Sequence, residues 1–127
     1  MMASSVGVAG RRVLVAEDEY LLASKMVAAF AELGVETIGP VGTVKRALDL
    51  VEHGGRLDGA VLDIKLRDGM VFPVAEALRA RGVRFVFTTG FNEQAIPDRY
   101  KDVARYEKPF DPTQVARALF SDAGQIQ

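Results

Sequence analysis

Four short stretches hold the residue types from which phosphoryl chemistry is built. They are the acidic run Glu17-Asp18-Glu19, the isolated Asp63, the hydroxyl pair Thr88-Thr89 before Gly90, and Lys108 before Pro109. Carboxylates gathered in one place repel one another unless a cation or a proton sits among them. A hard divalent ion such as Mg²⁺, or Mn²⁺, suits the cluster. It takes one or two carboxylates, keeps several waters and leaves positions open for a phosphoryl oxygen. Asp63 would then act as a nucleophile toward phosphorus. The charge of the transferred group would be shared by the metal, the Lys108 ammonium and the Thr89 hydroxyl. Taken singly, each residue has a plainer reading. An acidic first turn suits the helix dipole, Asp63 could be a cap or turn residue, Thr89 could bond locally at a strand end, and Lys108 could be a solvated amine. His53 reads as a cation near the end of a helix rather than a ligand. The functional reading therefore depends on whether the chain brings the four stretches together.

The elements that must do so are short apolar runs alternating with helical stripes. The runs are 13–16, 35–38, 59–62, 83–87 and, more weakly, 103–106. The first, third and fourth are almost continuously apolar, as strands covered on both faces must be. Between them, Leu22, Met26, Ala29, Phe30 and Leu33 form one helical stripe, stopped by Gly34. A second runs through Val44, Ala47, Leu48 and Val51 with Thr43 as N-cap, and a third through Val71, Val74, Ala75 and Leu78, ending at Gly82. The last, Val115, Ala116, Leu119 and Phe120, opens with Asp111 as N-cap and Pro112 at the first helical position. The slot over 92–99 is poor in apolar residues and interrupted by Pro97, which predicts a short or irregular helix. This is a (βα)5 pattern. It predicts an α/β, doubly wound, five-stranded parallel sheet of order 2-1-3-4-5, with function at the carboxyl ends of the strands. Strand 1 runs into Glu17-Asp18-Glu19, strand 3 into Asp63, strand 4 into Thr88-Thr89-Gly90 and strand 5 into Lys108-Pro109. In that order these four strands are neighbours, and the four stretches converge.

Composition narrows the classes. A chain of 127 residues has room for one domain. We expect a flexible leader over 1–10, the domain over 11–122 and a tail over 123–127. The 16 Lys and Arg nearly balance 17 Asp and Glu, for a net charge of −1, which argues against nucleic acid as a partner. Cysteine is absent and there is one histidine, so thiolate chemistry, disulfides and His-cluster metal sites are excluded. No apolar run is long enough for a membrane span, and the first ten residues lack the basic and apolar segments of a signal peptide. The expected location is cytoplasmic.

The chain resembles the receiver domains of bacterial two-component response regulators from about Arg12 to Phe120. The resemblance is carried by Leu14-Val15-Ala16-Glu17-Asp18-Glu19, by Leu62-Asp63-Ile64-Lys65-Leu66-Arg67-Asp68-Gly69, by Phe87-Thr88-Thr89-Gly90-Phe91 and by Lys108-Pro109-Phe110. It implies a flavodoxin-like receiver fold with Asp63 as phosphoacceptor. It also implies Asp18 as direct metal ligand, Glu17 as a ligand through water, the Lys65 backbone carbonyl as third protein ligand, Thr89 as switch hydroxyl and Lys108 as phosphoryl-binding lysine. The Lys108-Pro109 bond is typically cis in that family. Phe87-Thr88-Thr89-Gly90-Phe91-Asn92 looks like the motif of a subgroup reading Phe-Ala-Thr-Gly-hydrophobic-Tyr, with Thr88 for Ala and Asn92 for Tyr. Alternation puts Thr88 and Thr89 on opposite faces, and position before Gly90 favours Thr89 as the switch. Members of the subgroup are often stand-alone receivers working with sensor histidine kinases of the HWE or HisKA2 type. The partner implied is such a kinase or a histidine phosphotransfer protein. One departure stands out. The aromatic switch residue usual three positions before the lysine is replaced by Arg105, and Tyr106 falls on the opposite strand face.

The function expected is that of a stand-alone response regulator. It accepts a phosphoryl group onto Asp63 in a Mg²⁺-dependent phosphorelay and presents a changed surface to a protein partner. It is not a conventional enzyme, although it promotes its own aspartyl phosphorylation and dephosphorylation. The resemblance also implies that Lys65 and Phe91 flank the line of water attack, and neither is a general base, whereas Gly90 leaves the donor's path open. Ready phosphorylation with slow loss is therefore expected. The alternative is a receiver-like adaptor that binds without phosphorylation, against which the intact Glu17, Asp18, Asp63, Thr89 and Lys108 stand. A flavin carrier is disfavoured because Glu17-Asp18-Glu19 would repel phosphate. A dehalogenase-type phosphatase is disfavoured because Asp63-Ile64-Lys65 lacks the second aspartate.

Overall fold

A computed structural model describes residues 7–90 and 96–121 of the chain. Its elements are β1 (Arg12–Ala16), α1 (Tyr20–Glu32), β2 (Glu36–Val41), α2 (Val44–His53), β3 (Gly59–Asp63), β4 (Lys65–Leu66), β5 (Gly69–Met70), α3 (Phe72–Ala80), β6 (Arg84–Thr89), β7 (Arg105–Glu107) and α4 (Pro112–Leu119). A single 3-10 turn, Asp98–Tyr100, lies between β6 and β7. Five strands form one sheet in the order β2-β1-β3-β6-β7, with every pair parallel. In order of appearance of the large strands this is 2-1-3-4-5, as the alternation of runs and stripes predicts.

The sheet has an apolar layer on each face, and the period of two along its strands decides which residue enters which. Leu14, Ala16, Ala60, Leu62 and Phe87 face α2 and α3, packing against Ala47, Val51, Val74, Ala75 and Leu78. Val13, Val15, Val61 and Val86 face α1 and α4, packing against Met26, Phe30, Val115, Ala116 and Leu119. Local signals set the helix ends. The Thr43 hydroxyl accepts from Arg46 N at 3.1 Å, and Asp111 accepts from Thr113 N at 3.0 Å ahead of Pro112. Gly34 follows α1 with φ +79°, a left-handed conformation that favours glycine.

Three features depart from the sequence expectation. Gly7–Gly10, placed in the loose leader, form a turn that carries Val8 into the α1/α4 layer, where it is 2% exposed. Gly10 N donates to Gly34 O at 2.8 Å and holds that turn in place. A two-stranded antiparallel hairpin, β4–β5, follows directly on β3; runs of two residues are too short to carry a periodic signal. The β1–β2 register shifts between Leu14 and Ala16. Gly39 beside this shift has φ +98°, and a Cβ there would stand 3.0 Å from Val41 N and 3.1 Å from Val15 O. The described part of the 92–99 slot, Ile96, Pro97 and the start of the 3-10 turn Asp98–Tyr100, agrees with the short or irregular helix predicted there. That turn buries Tyr100 completely.

Candidate functional site

The site forms where β1, β3, β6 and the segment after β7 end side by side. β1 leads into Glu17, whose N–H donates to Val41 O at 2.8 Å. β3 ends on Asp63, paired in register with Thr88 of β6. Thr89 O accepts from Lys108 N at 2.9 Å, which ties the fifth strand's exit to the fourth strand's end. The Lys108–Pro109 bond is cis, as the resemblance implies.

Lys108 Nζ lies 2.9 Å from Asp63 Oδ2, 3.3 Å from Glu17 Oε2 and 3.4 Å from Glu19 Oε1. Burial acts to lower the lysine pKa. The hydrogen bond that the ammonium donates to Asp63 and the charges of Asp63, Glu17 and Glu19 outweigh it and raise the pKa well above the ordinary lysine range, so the ammonium stays charged. Glu17 is 3% exposed. Burial, and after it repulsion from Asp63, push its carboxyl up to about 8, against the opposing pull of the Glu19 amide and Lys108. One ammonium is shared among three carboxylates, and it does not neutralise the corner.

Glu17, Asp18 and Asp63 each offer a carboxylate oxygen, and these oxygens lie within 4.8 Å of one another. Glu17 Oε2 accepts from Glu19 N at 3.0 Å and from Lys108, but Glu17 Oε1 is buried with no hydrogen-bond donor among the described residues. A buried acceptor without a donor, beside two further carboxylates, fits a hard divalent cation of the Mg²⁺ class with water completing its shell. Lys65, whose carbonyl the sequence reading adds to this set, opens β4 directly beyond the site. Its N–H points at Asp63 Oδ1 at 3.4 Å.

The two threonines fall on opposite faces, as alternation requires. Thr89, 6% exposed, shares the face of Phe87, and its hydroxyl donates to Gly90 O at 3.3 Å. Thr88 shares the face of Val86, and its hydroxyl is buried without a partner among the described residues. Arg105 is exposed and pairs with Phe87, so it places no aromatic ring under Thr89; Tyr106, opposite Thr88, packs half-buried in the α1/α4 layer. Phe91 and Asn92 lie outside the described residues, whereas Gly90 borders the site and Lys65 is exposed on it.

The sequence reading did not anticipate three features. Glu19 is a third carboxylate partner of Lys108. Tyr100 fills the α2/α3 face beside Phe87, with ring centroids 5.9 Å apart, although the poor apolar pattern of its segment gave no sign of a buried ring. Asp68, read only as part of a motif, reaches across to the start of α2.

No family model matches the chain. Among solved structures, SdrG from Sphingomonas melonis Fr1 is 38% identical, with a TM-score of 0.76 over 95% of this chain and 98% of SdrG. Its BeF3-activated conformation is 40% identical, with a TM-score of 0.71 over 94% of this chain and 98% of that one. The response regulator PhyR from Brucella abortus is 27% identical, with a TM-score of 0.72, over 98% of this chain and 54% of PhyR. The transcriptional regulatory protein PdtaR of Mycobacterium tuberculosis is 31% identical over 114 residues, 86% of this chain. The chain spans about half the length of that curated relative, 55%. Among the described residues no helix is long and apolar enough to cross a membrane. End-to-end similarity to SdrG, on a sheet that brings the acidic pair, Asp63, Thr89 and Lys108 to one corner, places the chain in the family of response-regulator receiver domains.

Proposed function

We propose that Asp63 accepts a phosphoryl group from a phosphohistidine on a sensor histidine kinase or histidine phosphotransfer protein, in a Mg²⁺- or Mn²⁺-dependent reaction. The observation that carries this reading is the placement of Lys108 Nζ 2.9 Å from Asp63 Oδ2 within a cluster of three carboxylates, one of which keeps a buried oxygen without a donor. An Asp63 carboxylate oxygen attacks phosphorus, the P–N bond to the donor imidazole breaks, and the imidazole nitrogen departs with the electron pair. Glu17, Asp18, Asp63 and the Lys65 carbonyl would hold the metal, which when bound supplies charge neutralisation for the phosphoryl oxygens. Lys108, held by Asp63 before transfer, follows the charge onto a phosphoryl oxygen as the carboxylate becomes an acyl phosphate. The Thr89 hydroxyl, donating to Gly90 O in this state, is free to turn toward a second phosphoryl oxygen. That exchange alters the segment beyond Gly90, which a protein partner reads. The HWE or HisKA2 kinase type stays part of this proposal and rests on the motif around Thr89. The adaptor reading leaves the unsatisfied Glu17 oxygen without a purpose.

The test is uptake of label from a phosphohistidine donor or acetyl phosphate with Mg²⁺ present. Wild-type protein is expected to label and Asp63→Asn to take up none. Full labelling of Asp63→Asn would move the phosphoacceptor elsewhere, and no labelling of either would return the domain to the adaptor class.

A further inference from the structure

The metal-site residues come from two separate parts of the chain: Glu17 and Asp18 after β1, and Asp63 at the end of β3 with Lys65 beyond it. The β1–β3 ladder holds Asp63 beside β1 through its neighbour Leu62, paired with Ala16, whereas Lys65 lies past the ladder, and both parts also reach the same third segment, the loop from β2 into α2. On one side, Glu17 N donates to Val41 O at 2.8 Å. On the other, Arg67 N donates to Gly42 O at 3.1 Å. Asp68 adds a longer reach: its Oδ1 accepts from Val44 N at 2.6 Å and its Oδ2 from Lys45 N at 3.2 Å. The three segments are also in close contact. A Cβ at Gly42 would stand 2.7 Å from Arg67 Nη2 and 3.3 Å from Asp18 Cα.

The base of the hairpin is secured independently. Ile64 N donates to Thr88 O at 3.0 Å and Val71 N to Ile64 O at 2.8 Å, with Ile64, Leu66 and Val71 buried. The far turn, Arg67–Asp68, is exposed, and Asp68 and the Arg67 amide hold it against α2. Nor does α2 need Asp68 as its own cap, since Thr43 already supplies the side-chain acceptor to Arg46 N. The first amides of an exposed helix can be satisfied by water. A carboxylate brought to them from 23 and 24 residues away acts as a link between elements.

Resting on the metal-dependent reading above, we propose that Asp68 is a positioning residue for the cation site. It clamps the hairpin that begins at Lys65 to the start of α2, and so fixes Lys65 relative to Glu17 and Asp18. Such outer-shell partners typically contribute about 10–100-fold to metal affinity, and a link acting through one hairpin belongs at the lower end.

Mg²⁺ titration of the full chain by calorimetry, with thermal melts of the metal-free protein alongside, tests this. Asp68→Ala is expected to weaken Mg²⁺ binding roughly ten-fold, and Asp68→Asn, which keeps one acceptor oxygen, to recover part of the loss. Thr43→Ala strips the same helix end of its local cap. It should lower the melting temperature while leaving Mg²⁺ affinity at the wild-type value. Wild-type affinity in Asp68→Ala would overturn the clamp alone, as would equal weakening in Thr43→Ala, which would reduce the effect to general helix stability. Absence of Mg²⁺ binding in the wild type would overturn the metal-dependent reading, and the clamp with it.

Discussion

The corner at Asp63 and the aromatic cluster around Tyr100 lie on the same sheet and are built on opposite principles. At the corner, four ionisable side chains meet without matching partners. Lys108 serves three carboxylates, Glu17 is buried with its pKa pushed up to about 8, and one of its oxygens has no donor. In the cluster every interaction is matched. Tyr100 stacks on Phe72 with centroids 5.6 Å apart and meets Phe87 edge-on at 5.9 Å. Arg79 and Arg99 lie over its ring at 5.1 and 4.8 Å, and its hydroxyl donates to Glu76 Oε1 at 2.8 Å. The cluster contributes stability, whereas the corner holds an electrostatic imbalance that a ligand can relieve. Under the proposed function the corner receives a cation and a phosphoryl group, and the fold around it carries the cost of their absence.

The comparison implies that the two regions fail differently. The largest effect is expected from Tyr100→Ala. Emptying a fully buried aromatic site costs about 3–5 kcal/mol, measured by urea denaturation, while Mg²⁺ affinity of the folded variant stays near wild type. A large loss of Mg²⁺ affinity would show that the two regions are one unit. The pH dependence of the metal-free protein comes next. Glu17 has its folded pKa raised above the unfolded value, so the folded state holds a proton that the unfolded state has released. Its stability contribution is full below the unfolded pKa near 4.5 and is lost as pH rises through about 8. With one pKa unit equivalent to about 1.4 kcal/mol and a folded pKa of about 8, stability should fall by roughly 2–3 kcal/mol between pH 6 and pH 9. Saturating Mg²⁺ should remove most of that fall. A rise in stability over that range would contradict the assignment of the imbalance to Glu17.

The smallest effect concerns the lifetime of the phosphorylated state. Lys65 stands exposed at the start of β4, beside Asp63. A long cation there can lie along the phosphoryl oxygens and obstruct the line of water attack. Lys65→Asn is expected to speed decay of phosphorylated Asp63 by a few-fold, about 1 kcal/mol of barrier or less, without changing uptake. Equal or slower decay would remove Lys65 from that role. The second flanking residue in the sequence reading, Phe91, lies outside the described residues.

The same contrast explains what could be read from the sequence. Every component of the corner sits at a strand end, so once the runs at 13–16, 59–62 and 83–87 and the weaker one at 103–106 are recognised as strands, parallel topology brings Glu17, Asp18, Asp63, Thr89 and Lys108 together. The helix caps Thr43 and Asp111 were legible because capping is a local interaction over two or three residues. The aromatic cluster was not, because Phe72, Phe85, Phe87 and Tyr100 come from three elements and meet only after folding. Tyr100 also sits in a stretch whose charged neighbours Asp98, Arg99, Lys101 and Asp102 mask its burial. Asp68 escaped for a related reason. An aspartate beside a glycine reads as a turn residue, and nothing in its neighbourhood indicates that its oxygens go to Val44 and Lys45. Val8 was missed because a stretch of small residues carries no period.

The most direct measurement is chemical trapping of the phosphorylated residue. Protein treated with acetyl phosphate and Mg²⁺ is reduced with borohydride, which converts an aspartyl phosphate to homoserine, and its peptides are mapped by mass. Homoserine at position 63 alone, absent when Mg²⁺ is chelated, is the expected result. Homoserine at position 18, or at neither position after treatment with acetyl phosphate and with a phosphohistidine donor in turn, would contradict the account.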